Sequence, residues 1–255
     1  MTDPTQRFTG RVDDYIRYRP GYPHEFLGLL RRECGLTEST VVADIGSGTG
    51  NLARLVLDNG NRVIMVEPND EMRSAGEGLL SGYGRLESLA ATAEATELPQ
   101  SSVDLIAAGQ AFHWFDPVSA REEFARVLRP GGKVVLVWNA RRKTGRPFLE
   151  DYEALLEAYA TDYAEVEHGK LSSPEAIRGF FAPNPVHMAT FDNKQVLDHD
   201  GLRGRLRSSS YVPAEGEPGH QKMLKELEKV FRRHEFDGRV MIEYDTRVYW
   251  GSLAP

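Results

Sequence analysis

Residues 41–51 read VVADIGSGTGN: an apolar run ends on an acid and passes through glycines at 46, 48 and 50 before a helical pattern begins. Glycine lets the backbone turn tightly and lets a ligand approach where a Cβ would clash, so the stretch predicts a strand, a ligand-facing turn and a helix in succession. A dinucleotide site would space its glycines G-x-G-x-x-G, so that a pyrophosphate sits on the helix N-terminus. Here the third glycine comes one residue early. Asp44, directly before the turn, would repel a pyrophosphate and suits a cationic ligand bearing an amino group and a sulfonium.

The surrounding sequence keeps a strand and helix rhythm that predicts stacked βαβ units and a parallel sheet. Val41–Ile45 is the first strand, and 51–59 reads as a helix with Leu52, Leu55 and Val56 on one face and Gly60 placed to end it. Arg62–Val66 is the second strand; Glu67-Pro68-Asn69-Asp70 then stops the ladder and opens the next helix. Further strands are expected at 86–91, 103–108 and 133–138, the last preceded by helically spaced Phe124, Val127 and Leu128 and by the stop Pro130-Gly131-Gly132. Glu67, at the end of the second strand, can accept both hydroxyls of a ribose.

After residue 140 the punctuation thickens. A helix is expected over 148–160, with Leu149, Tyr152, Leu156 and Tyr159 along one side, and another around Met223, Leu227, Val230 and Phe231. The final segment alternates, with Val240, Ile242, Tyr244, Val248 and Trp250 on one face and Glu243, Asp245, Arg247 and Tyr249 on the other. It is expected to pair antiparallel with 189–196 at one edge of the sheet. The fold class is therefore α/β: a Rossmann-like, doubly wound, mostly parallel sheet with an antiparallel C-terminal edge strand. Residues 1–255 are read as one domain, with 1–40 an N-terminal helical lid, 41–140 a cofactor-binding core and 141–255 the substrate-side helices and final strands.

Bulk properties exclude several classes. A net charge of −7 disfavours nucleic acid and anionic lipid as partners. One cysteine, Cys34, leaves no internal disulfide and no multi-cysteine metal cluster, and fits a reducing compartment. The first ten residues lack an apolar core and no apolar run approaches the roughly 20 residues of a spanning helix. A cytoplasmic protein, monomer or homodimer, without membrane, metal or nucleic-acid partner, is the expectation.

Four ordered segments, VVADIGSGTGN, VEPNDEM, ATAEATELPQSSVDLIAAGQAFHWFD and RVLRPGGKVVLVW, together resemble class I S-adenosylmethionine-dependent methyltransferases. Within them the chain is similar to the small-molecule branch of trans-aconitate methyltransferase-like proteins, through YIRYRPGYP at 15–23 and QAFHWF at 110–115. The resemblance is good over residues 8–140 and weak beyond. It implies that Asp44, Gly46, Ser47 and Gly48 surround the methionine part of S-adenosylmethionine and that Glu67 holds the ribose, with Pro68 and Met72 beside it. It further implies that Ala93 and Glu94 lie beside the adenine, that Gln110 closes over the cofactor, and that Tyr15 and Arg19 meet the methionine carboxylate.

The reaction so implied is an in-line displacement at the sulfonium methyl, transferred to a small-molecule carboxylate or hydroxyl. Alignment and water exclusion can supply on the order of 7–11 kcal/mol of such a barrier. A carboxylate needs no base; for a hydroxyl, His113 is the candidate, with His113 and Trp114 also candidates for substrate contact. Arg203, Arg205 and Arg207 before Ser208-Ser209-Ser210-Tyr211 read either as a solvated helix face or as an anion site, in which Arg207 and Tyr211 are the substrate-binding candidates. Arg141, Arg142, Lys143 and Arg146 are expected to decorate a loop, and Tyr152 and Tyr159 to pack a helix. An NAD-dependent oxidoreductase and a non-catalytic S-adenosylmethionine-binding module are the alternatives.

Overall fold

The computed structural model describes residues 11–161, 163 and 173–253. Seven strands form one sheet in the order β3-β2-β1-β4-β5-β7-β6. β1 (Val41–Ile45), β2 (Arg62–Val66), β3 (Leu86–Leu89), β4 (Val103–Gly109) and β5 (Leu128–Arg141) run parallel. β7 (Val240–Gly251) pairs antiparallel with β5, and β6 (His187–Leu197) pairs antiparallel with β7 at the edge. The chain winds outward from β1 to β3 and then returns to lay β4 on the opposite side of β1. The crevice at the carboxyl ends of β1 and β4 is thus the topological switch point, where open α/β sheets bind their ligands.

The strands are apolar on both faces because helices cover both. Val41, Ala43 and Ile45 share one cluster with Val134 and Leu136, under α5 (Pro117–Val127) and α7 (Pro174–Phe181). Val42, Leu105, Ala107, Val135 and Val137 face the other way, against α2 (His24–Glu33) and α3 (Asn51–Asp58). A third cluster joins α6 (Pro147–Tyr159), α8 (His199–Arg207) and α9 (His220–His234) to the first half of β7, as a cap beyond the carboxyl ends of the strands.

Element limits differ from the sequence reading where pairing or capping decides them. The helix after the glycine turn stops at Asp58, with Asn59 as its cap, and β3 stops at Leu89. β5 starts at Leu128 because Leu128 pairs with Val103 across a register shift that absorbs the Pro-Gly-Gly turn. It runs on to Arg141 because β7 pairs with it that far. Residues 1–40 are not a lid throughout: Phe26, Leu29 and Leu30 of α2 are buried in the sheet core. Tyr249, expected outward, packs on Trp138 because α7 covers that end of the sheet.

Only α1 (Val12–Tyr18), with α4 (Asp70–Leu79) beyond the crevice, belongs to the site side. α1 is fastened to α8 and the loop after it. Arg11 donates to the carbonyls of Arg207, Ser209 and Val212, Asp14 pairs with Arg207 at 3.0 Å, and Gln195 donates to the Tyr18 carbonyl at 2.9 Å. Gly204 is where the two helices touch: a Cβ there would lie 2.0 Å from the Tyr18 ring. Gly204→Ala is therefore expected to displace that ring and lower the unfolding free energy by about 1–3 kcal/mol, read by urea denaturation.

Candidate functional site

β1 delivers the glycine turn to the crevice, and backbone bonds fix it there. Gly46 and Ser47 donate to the Val66 carbonyl at the end of β2, at 2.8 and 3.3 Å. Gly46 has φ 66°, and a Cβ on it would come 2.6 Å from the Ala111 Cβ, so no other residue fits. Glu67 completes the clasp: one carboxylate oxygen accepts from Gly48 N–H at 2.8 Å, the other from Asn69 N–H at 2.9 Å. Burial raises the Glu67 pKa, opposed by those two N–H groups. Asn69 caps α4 by accepting from Met72 N–H, which seats Met72 beside Gly48.

Asp44 is 1% exposed. Its Oδ2 accepts from Ala53 N–H at 3.0 Å, while its Oδ1 is buried and meets no partner among the described residues. Burial pushes its pKa up to about 7, the Ala53 N–H opposing and the Glu67 charge adding. Asp44 and Ser47 open on a small recess with Tyr15, Arg19, Gly46 and Gln110 rather than on the main cavity.

That main cavity, of about 1000 Å³, extends from the turn across the carboxyl ends of the strands. Gly46, Gly48, Glu67, Pro68, Met72, Ala93 and Glu94 line one end, so nearly all the candidates from the first half of the chain converge there. Tyr15 and Arg19 reach both spaces from α1; the Arg19 guanidinium lies 4.9 Å from the Tyr15 ring and donates to the Ser208 carbonyl at 2.7 Å. Gln110 lines the cavity but does not reach over it. Its φ is 59°, its N–H donates to Val137 O at 2.8 Å, and its side-chain oxygen accepts from Asn139 N–H at 3.2 Å, tying β4 to β5. A following 3-10 turn, Phe112–Trp114, presents His113 and Trp114 to the cavity with their rings 4.4 Å apart.

The other end holds residues that the sequence reading missed. Trp138 and Asn139 come from β5, as does Arg141, expected in a loop, because β5 continues that far; Arg142 and Lys143 do lie in the loop after it, but they line the wall too. Arg141 is paired with Glu153 and Tyr163, Lys143 with Glu153 at 2.9 Å, and Arg142 with Asp245 at 2.7 Å. Arg146 is the member of that run outside the cavity, paired with Glu243. Tyr211 lines the wall as expected, but Arg207 does not: Asp14 holds its guanidinium against α1. The arginine that turns inward is Arg205. Leu202 and Leu206 are buried with it, an i, i+3, i+4 face that was legible in the sequence, whereas Arg207 lies some 200° round the helix from Arg205. Tyr152 packs the third cluster as expected, and Tyr159 packs against it.

Chemically, two buried carboxylates, neither ion-paired among the described residues although the Arg73 charge acts on Glu67, suit a ligand that brings a positive charge and hydroxyl donors. Among the described residues there is no His, Cys, Asp or Glu group that could hold a metal ion, and no helix long and apolar enough to cross a membrane.

Comparison with known proteins agrees with this architecture. The family model of the methyltransferase domain matches residues 43–136, from β1 into β5. An uncharacterized methyltransferase-like protein of Schizosaccharomyces pombe is 27% identical over 252 residues, 97% of this chain and 96% of the relative. Mycobacterial methyltransferases reach 39% identity, the chain spanning 54% of their length. A structure from Anaeromyxobacter dehalogenans, assigned as a type II methyltransferase, superposes with a TM-score of 0.65 at 22% identity, over 93% of this chain and 99% of the other. A phosphoethanolamine N-methyltransferase of Haemonchus contortus, solved with phosphomonomethylethanolamine and S-adenosylhomocysteine, gives 0.59 at 15%, over 97% and 59%. At these identities the structural likeness speaks to the fold. Residues 43–136 of the chain thus match a methyltransferase domain, and the whole adopts a Rossmann-like fold. The residues would fit S-adenosylmethionine: the buried Asp44 Oδ1, without a partner among the described residues, matches its ammonium, and the Glu67 carboxylate, which keeps lone pairs beyond its two backbone bonds, matches ribose hydroxyls.

Proposed function

We propose that the protein methylates a small molecule at a carboxylate or hydroxyl oxygen, and that it belongs to the branch resembling trans-aconitate methyltransferases. One observation carries the reading: the same cavity joins the glycine turn and Glu67 to a tyrosine- and arginine-lined chamber under α1, giving two ligands a shared space. The two segments that suggest the branch, 15–23 and 110–115, both contribute to its lining, through Tyr15, Arg19, Gln110, His113 and Trp114.

S-adenosylmethionine supplies a methyl group on a sulfonium, already an excellent leaving group. Asp44 would hold its ammonium, Glu67 its ribose, Ala93 and Glu94 would border the adenine, and Arg19 over Tyr15 would take its carboxylate. The chain's further work is to align the acceptor and exclude water: α1 roofs the cavity and the Phe112–Trp114 turn walls it. A carboxylate acceptor needs no proton removed; a hydroxyl would give its proton to His113.

The test is a panel of small carboxylic acids and phenols with methyl-labelled cofactor. Label in an extractable small product is the expected outcome. Label that enters only RNA or protein, with none in the panel, would overturn it.

A further inference from the structure

Six cationic side chains among the described residues line the cavity: Arg19, Arg141, Arg142, Lys143, Arg205 and Arg247. Four have acidic partners. Glu153 takes Arg141 and Lys143, and Asp245 takes Arg142 and, at 3.8 Å, Arg247. Arg19 and Arg205 have none among the described residues. An unpaired guanidinium out of water is costly, so a fold that keeps the buried Arg205 and the half-buried Arg19 beside a cavity is arranged for anions that arrive with ligands.

The two arginines lie near enough for the Arg205 charge to disfavour that of Arg19, and they share the main cavity, but only one reaches a second space. Arg19 also borders the recess of Asp44, Gly46 and Ser47, the methionine end of the cofactor site. Arg205 borders only the main cavity, on the side of Ser210, Tyr211 and Arg141. It is 6% exposed; its Nε donates to the Tyr244 hydroxyl at 3.2 Å and its Nη1 to Ser209 Oγ at 3.1 Å. Those two bonds leave three of the five guanidinium N–H groups without a partner among the described residues, two on Nη2 and one on Nη1, enough to meet both oxygens of a carboxylate. Tyr244 in turn donates to Gln195 at 2.7 Å, which fixes the assembly from the β6 side.

We infer that Arg205 is the specificity-determining residue of the acceptor chamber, gripping a carboxylate of an organic acceptor through those N–H groups, at a group distinct from the atom that receives the methyl. The separation follows from geometry: a carboxylate held by both oxygens is not the one that attacks. Aromatic rings that line the same cavity, Tyr211, Trp138 and Tyr249, favour an organic anion over a fully hydrated inorganic one. The inference rests on the methyl-transfer reading, since it assigns Arg19 to the cofactor and leaves Arg205 to the acceptor.

The experiment titrates the full-length protein, free and saturated with S-adenosylhomocysteine, with benzoate, succinate and inorganic phosphate, following heat and unfolding temperature. Wild type is expected to bind benzoate or succinate and to gain unfolding temperature from them, with phosphate weaker. Arg205→Met should weaken the carboxylates at least about tenfold while S-adenosylhomocysteine affinity stays within about threefold, and without ligand it should unfold no lower than wild type. Arg19→Met should do the reverse, losing the nucleoside and keeping the carboxylates. Arg205→Lys keeps the charge and loses the fork, so it should weaken the carboxylates about threefold or more even if the methionine variant fails to fold. Carboxylates that bind no variant, or all equally, would overturn the inference, as would phosphate binding as well as they do or nucleoside affinity lost in Arg205→Met. Failure of wild type to bind S-adenosylhomocysteine would instead remove the methyl-transfer reading, while the carboxylate titration of the free protein still reports on Arg205.

Discussion

Asp44→Asn is expected to stabilise the free protein above neutral pH and, in the same variant, to weaken S-adenosylhomocysteine by about 10- to 150-fold, the worth of one charge-assisted hydrogen bond. The two effects share a cause. Burial and the nearby Glu67 charge raise the Asp44 pKa to about 7, so the fold prefers the neutral acid. For a carboxyl raised in this way the burden on stability is absent below the ordinary aspartate value, grows as pH rises from about 4 to 7, and is constant above, where it approaches about 4 kcal/mol. Asparagine mimics the neutral acid, keeps an oxygen for Ala53 N–H, and escapes that burden. Its gain in unfolding temperature over wild type should therefore be small at pH 4.5 and largest at pH 8. A ligand ammonium favours the charged form, so wild-type affinity should rise about tenfold per pH unit between about 5 and 7, then level off, with proton release below pH 7. An affinity independent of pH would remove Asp44 from the ligand contact.

Glu67→Ala should cost more in the fold itself. It leaves Gly48 N–H and Asn69 N–H without their acceptor, at about 1–3 kcal/mol each, and loosens the Gly48 side of the glycine turn, while Gly46 and Ser47 stay tied to Val66. Nucleoside affinity is expected to fall by about two orders of magnitude or more, since the ribose contact and the ordered turn go together. Glu67→Gln keeps one acceptor and should sit between alanine and wild type in both urea denaturation and calorimetry. Full affinity in the alanine variant would mean that the nucleoside lies elsewhere.

The half of the site built from local pattern was legible in the sequence. Asp44, the glycine turn and Glu67 sit where strands end, and strand ends are set by short runs and turn residues that need no tertiary information. The half built from tertiary packing was not. Arg141 reaches the cavity because β7 pairs with β5 past Trp138, and Arg207 leaves it because α1 docks there and Asp14 captures it. Gln110 shows the same limit: its position at the end of β4 was legible, but the pairing of its amide with Asn139 depends on where β5 lies. Arg205 stood between these cases, since its spacing from Leu202 and Leu206 marks the inward face of its helix.

The central claim is that the crevice past Ile45 is shaped for a sulfonium nucleoside. A crystal structure of the protein grown with S-adenosylhomocysteine tests it most directly. The account predicts the amino group against Asp44 Oδ1, the ribose hydroxyls on Glu67 and the adenine beside Ala93. Density for the nucleoside at any other place, with the Asp44 recess filled by water or protein atoms, would contradict it.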